Sequence, residues 1–180
     1  MSRKVIINFV LFQAAWFACV LGAANGMPWL GVIATIFVVA WHLIQAKDAK
    51  SEAILLIITL FIGATFDQLM HSTNLIHYQS HGWSDTIVPA WILALWAGFM
   101  TALNVSLRWM QGKWLVAILF GTIGGPLAYM GAARLGAVNL NVYPQSYLVL
   151  SVGWAILTPV LLILAKRYDG FQDDSYLTKS

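Results

Sequence analysis

The stretch AILLIITLFIGATFDQLMH, residues 53–71, decides the class of this protein. Its first fourteen residues carry no charge, and the run approaches the roughly 20 apolar residues with which an α-helix crosses the hydrocarbon core of a bilayer. At its end Asp67 and His71 stand four residues apart, on one face of a helix. A carboxylate so placed needs a reason, because ionisable side chains at membrane depth usually face the bundle interior and pair.

The rest of the chain is of the same kind. Of its 180 residues 60% are hydrophobic and 9% charged, the mean hydropathy is +0.76, and soluble domains carry about a quarter charged residues. The length suits a single integral membrane domain, residues 1–180, without an added soluble domain. The one cysteine, Cys19, falls inside the first apolar run, where a buried, inert thiol is expected, and it cannot form an intrachain disulfide.

Six segments are long and apolar enough to span, at about 5–23, 28–46, 53–72, 87–109, 114–133 and 147–165. The expected fold is therefore an all-α bundle of six transmembrane helices with both termini on one side. Under this division nine of the ten Lys and Arg fall on the terminal side, and only Arg134 on the other. The positive-inside rule makes the termini cytoplasmic. Trp29, Trp83 and Trp91 near the outer ends, with Trp41, Trp109 and Trp114 near the inner ends, describe two aromatic belts. The basic pI of about 9.1 records this topology and carries no nucleic-acid meaning. Asn8, Gln13 and the length of the first segment argue for a retained helix over a cleaved leader.

Small residues suggest how the bundle packs. Ala90, Ala94, Ala97, Thr101, Asn104 and Arg108 make a small-to-polar stripe on the fourth segment, leaving bulky Ile92, Trp96, Phe99 and Leu103 for other faces. Gly121, Gly125, Ala128 and Ala132 repeat the pattern on the fifth, and such stripes let membrane helices approach closely. Pro126, in GTIGGP, cannot donate to the carbonyl of Thr122, so a kink and a possible site are expected there. The two long connections, 73–86 and 134–146, both fall on the outer side, and the tail from Tyr168 to Ser180 is polar and expected to be a solvated end.

For Asp67 the economical partner is Arg134, with Tyr129 close by. Such a pair would serve as a clamp between helices; the alternatives are a ligand or proton site and a lone protonated acid. Asn8, His42 and Asn104 form a second polar layer near the inner ends, suited to hydrogen bonds between helices. Asp67/His71 and His77/His81 are two i,i+4 pairs that could face a metal, but His77 and His81 lie in a loop and no metal or other cofactor is assigned. Hydrolase, nucleotide-binding and zinc-protease motifs are absent, and Ser106 has no sequence-evident base.

NFVLFQAAWFACVLGAA (8–24), PAWILALWAGFMTALNVSLRWM (89–110) and GTIGGPLAYMGAARLGAV (121–138) resemble the blocks of a bacterial family of small multi-pass inner-membrane proteins classed as a domain of unknown function. The resemblance singles out Trp16, Asp67, Trp96, Asn104, Ser106, Trp109, Pro126, Tyr129 and Arg134. It implies no activity. It does imply genomic proximity to enzymes that modify fatty-acyl chains, such as relatives of cyclopropane fatty acid synthase, and hence membrane lipids and lipid-modifying enzymes as partners. Three roles follow as expectations: a lipid-phase accessory, favoured by the resemblance; a small-molecule or ion carrier with its site at Pro126 and Asp67/Arg134; and a structural or assembly subunit. The candidate polar cluster is Asp67, Asn104, Ser106, Pro126, Tyr129 and Arg134.

Overall fold

A computed structural model describes residues 3–172. Six α-helices run in the order α1 (Arg3–Ala24), α2 (Pro28–Gln45), α3 (Ala49–Ser72), α4 (Ala90–Leu103), α5 (Trp114–Arg134) and α6 (Gln145–Arg167). Among the described residues, five are long and apolar enough to cross a membrane, α4 being shorter. Local chemistry sets several boundaries. Pro28 occupies the first turn of α2, where its missing amide costs nothing. The Asp48 carboxylate caps α3 by accepting from the amides of Lys50 and Ser51, and these bonds, with that from the Ser51 hydroxyl first, hold its pKa below the usual carboxylate value.

The fourth segment departs from expectation. A helix over 87–109 would match the membrane, but α4 is regular for 14 residues, about 21 Å. Pro89 precedes it, and at its end the Asn104 carbonyl turns aside to accept from Arg108 Nε at 2.7 Å, so the chain leaves through turns and a 3₁₀ turn at Arg108–Met110. Eleven of the fourteen residues are buried, bulky Ile92, Trp96, Phe99 and Leu103 together with Ala90, Ala94 and Thr101 of the small stripe. An all-round apolar helix belongs at the centre, and α4 packs against α1, α2, α3 and α6.

The long connections meet each other. β1 (Ile76–Tyr78) and β2 (Val138–Leu140) pair antiparallel with Tyr78 opposite Val138, adding a two-stranded ribbon to the otherwise helical fold. The bundle thus has a ribbon end and a terminal end, where the polypeptide enters α1 and leaves α6.

Glycines set the closest approaches between helices. Trp96 of α4 and Trp154 of α6 stack with centroids 5.0 Å apart and planes 4° from parallel. A β-carbon at Gly63 would overlap the Trp96 ring, and one at Gly125 the Trp154 ring, so two indoles are sandwiched between glycines of α3 and α5. At Gly121 a β-carbon would overlap the backbone carbonyl of Trp154, which cannot move aside. The expected cost of Gly121→Ala is about 1–3 kcal/mol, as for overpacked cores, measured as a lower melting temperature in detergent. Gly124 is the control, since a β-carbon there meets only Phe120 at 3.7 Å; Gly124→Ala should be neutral or stabilising.

Candidate functional site

Buried residues of α3 fall at Glu52, Leu55, Thr59, Gly63, Asp67 and Met70, spaced by three or four, so both acids lie on the stripe that faces the bundle. Asp67 is 0% exposed. Its Oδ1 accepts from the hydroxyls of Tyr78 at 2.6 Å and Tyr129 at 2.5 Å, and its Oδ2 from Trp96 Nε1–H at 2.5 Å. The three donors come from β1, α5 and α4 and converge on one α3 side chain. An ionised carboxylate accepts without donating, so three donors suit it, and bonds to a charged acceptor are short and strong. Burial first, and then the charge of Asp67, push the Tyr78 phenol well above its ordinary pKa, which keeps it a donor.

The expected Asp67–Arg134 pair is corrected by this geometry. Arg134 is exposed at the ribbon end of α5, and the ion pairs between described residues join His42 to Glu52 and Arg108 to Asp169. Neutral hydroxyl and indole donors replace the guanidinium. They satisfy the carboxylate without a second charge having to be desolvated.

A half-open cavity of about 380 Å³ lies beside this cluster. Phe12, Gln13 and Trp16 form one wall from α1, and residues from Phe120 to Ala132 form the facing wall from α5. Residues of α4 and Trp154 complete the lining, and Asp67 belongs to it beside Trp96 and Tyr129. Phe120 and Leu127 at its rim are 42% and 57% exposed, so the cavity opens on the flank of the bundle. Pro126 is buried beside it, and α5 continues through the proline as a helix.

A second polar cluster gathers at the terminal end. Glu52, 0% exposed, pairs with His42 Nε2 at 2.8 Å and accepts from Asn104 Nδ2 and the Gly170 amide, both at 2.8 Å. Gln111 donates to the Asn104 side-chain oxygen at 2.9 Å. His42 and Asn104 therefore do join helices, around an acid that lay just outside the expected third segment. Asn8 of the same expected layer donates instead to the Thr101 carbonyl at 2.9 Å. The expected solvated tail is partly docked: Gly170 is buried, Asp169 meets Arg108, and residues 173–180 lie outside the described part.

The candidate cluster thus divides. Asp67 and Tyr129 come together at the cavity, Pro126 stands in α5 between the lining residues Gly125 and Leu127, Asn104 belongs to the terminal cluster, and Arg134 lies apart from both. Ser106 is buried, and its hydroxyl has no hydrogen-bond partner among the described residues. His71 and His81 approach to 5.2 Å between rings but bond to the carbonyls of Asp85 and Ile87. Among the described residues no group of three or more His, Cys, Asp or Glu could hold a metal ion. Trp96, Tyr78 and Glu52 enter the two clusters without having been selected for these contacts.

Long apolar helices whose outward residues are large hydrophobics, such as Phe37 at 71%, Phe61 at 74% and Leu115 at 77% exposed, are those of a multi-pass membrane protein. Residues 5–160 match the family model described as protein of unknown function DUF2878, and the chain belongs to that family. No curated protein and no solved structure matches it.

Proposed function

We propose that this is a six-span protein of the bacterial inner membrane that receives the apolar part of a membrane lipid in its flank cavity and acts as an accessory to a lipid-modifying enzyme. The cavity carries this reading. Its walls are mostly apolar and aromatic, it opens where lipid would lie, and its volume is within the range of ligand sites. The eight described Lys and Arg at the terminal end, against Arg134 alone at the ribbon end, support cytoplasmic termini. The cavity then sits in the outer half of the membrane. A carrier built on Asp67/Arg134 is less favoured, because Arg134 is elsewhere and the carboxylate is already held by three donors. A pure assembly role is less favoured because the glycine faces of α3 and α5 are filled by the chain's own tryptophans.

Gly124 lines the cavity with room for a larger side chain, so Gly124→Leu is expected to plug it without unfolding the protein. Mass spectrometry of lipids retained on purification should show acyl lipid on the native chain and several-fold less on the variant. Equal retention at equal stability would overturn the proposal.

A further inference from the structure

Gln13 lies at the middle of the 22-residue helix α1, the depth at which polar side chains are least expected. It is half-buried, lines the cavity, and makes no hydrogen bond to any described residue. On another wall of the same cavity stands Trp154, but its Nε1–H is closed to the lumen and lies close to the Tyr129 hydroxyl. Gln13 is left as an amide that can both donate and accept. The remaining polar groups of Asp67, Tyr129 and Trp96 are committed to one another. At hydrocarbon depth no solvent stands ready to satisfy a free donor.

We infer that Gln13 recognises an uncharged oxygen, a carbonyl or hydroxyl, carried within an otherwise apolar lipid-soluble ligand. This rests on the reading that the cavity takes such a ligand, and it names the ligand's chemistry. An oxygen accepts from the Gln13 amide N–H, and a hydroxyl can also donate to the Gln13 carbonyl. A trimethylammonium group can neither accept from the amide nor donate to it. A carboxylate would lie near the charge of Asp67 with no cationic side chain on the lining. The recognised oxygen therefore sits away from the membrane surface, unlike the headgroup of an ordinary phospholipid.

The test uses the full chain in uncharged maltoside micelles and four chains of equal length: brominated dodecane and the corresponding alcohol, carboxylic acid and trimethylammonium. Bromine quenches tryptophan, so binding is read as the micellar mole fraction that gives half-maximal quenching. The two hydrogen bonds a hydroxyl can make with the Gln13 amide, at about 1 kcal/mol net each, favour the alcohol over the bare hydrocarbon by about tenfold or more. The acid and the ammonium should gain no such advantage. Gln13→Leu should abolish the preference for the alcohol while the hydrocarbon still quenches, and Gln13→Asn should keep part of it. With no protein partner lost, the melting temperature of unliganded Gln13→Leu should be unchanged. An alcohol that binds no tighter than the hydrocarbon, or a preference that survives Gln13→Leu, would sink the inference while leaving the cavity reading in place. If Gly124→Leu changes quenching by none of the four probes, the cavity reading fails and the inference falls with it.

Discussion

Asp67→Ala is expected to prevent stable folding in detergent, whereas Arg134→Gln should be nearly silent. The alanine leaves Tyr78, Tyr129 and Trp96 with buried donors and no acceptor, and each unsatisfied donor costs about 1–3 kcal/mol. Together these losses rival the whole stability of a small domain. Asp67→Asn is the gentler probe. With its single carbonyl on the two tyrosines its amide confronts the indole N–H, which cannot accept, and with the carbonyl on the indole the hydroxyls must turn to accept from the amide, so either way the network is weakened. Double-mutant cycles locate the partners. Asp67→Asn with Tyr129→Phe should be clearly non-additive, since the phenylalanine removes a donor that the asparagine fails to satisfy. Asp67→Asn with Arg134→Gln should add to within about 0.5 kcal/mol, as distant sites do. Strong coupling to Arg134 with none to Tyr129 would reverse the assignment of partners.

The second large effect is expected at the terminal end. Glu52→Ala removes the one acceptor shared by His42, Asn104 and the Gly170 amide, and breaking a buried charged cluster of this kind costs about 3–5 kcal/mol. Glu52→Gln separates charge from hydrogen bonding. Its oxygen can still accept from Asn104 and Gly170, and its amide can donate to a neutral His42 ring, so most of the stability should survive. Thermal melts of both variants decide the point. A glutamine as harmful as the alanine would mean that a charged His42–Glu52 pair, and no neutral network, holds this end.

Sequence alone reveals Asp67, because a lone acid in an uncharged run has few explanations. Its partners are harder to see. Trp96 is one of nine tryptophans, and its approach to α3 depends on α4 being the central helix, which follows from helix order and not from local pattern. Tyr78 acquires its place only when β1 pairs with a strand some sixty residues later. Arg134 is the natural guess if a buried carboxylate must have a cation, but three neutral donors meet the same need. For Glu52 a signal does exist. Capping by Asp48 starts α3 at Ala49, and the spacing from Glu52 through Leu55, Thr59 and Gly63 to Asp67 puts both acids on one face. The membrane class and the approximate helices are legible because apolar length is a local property. The two-stranded ribbon and the shortness of α4 are not, since both arise from contacts between distant segments.

Gly170 has a consequence for how the chain is made. Its amide donates to Glu52 and its carbonyl accepts from the amides of Lys47 and Asp48, at 2.8 and 3.1 Å, tying the end of α6 to the turn before α3. Synthesis delivers the N-terminal part first. Glu52 therefore enters the bilayer with His42, ten residues away, at hand, while Asn104 and Gly170 are still 52 and 118 residues distant along the chain. The helical hairpin of α2 and α3 carries its own provisional partner for the acid, and the remaining donors arrive as later helices are inserted. A chain ending at Arg167 would contain every helix and still lack the final latch. Its lifetime in the cell, more than its helix content, is what such a truncation would shorten.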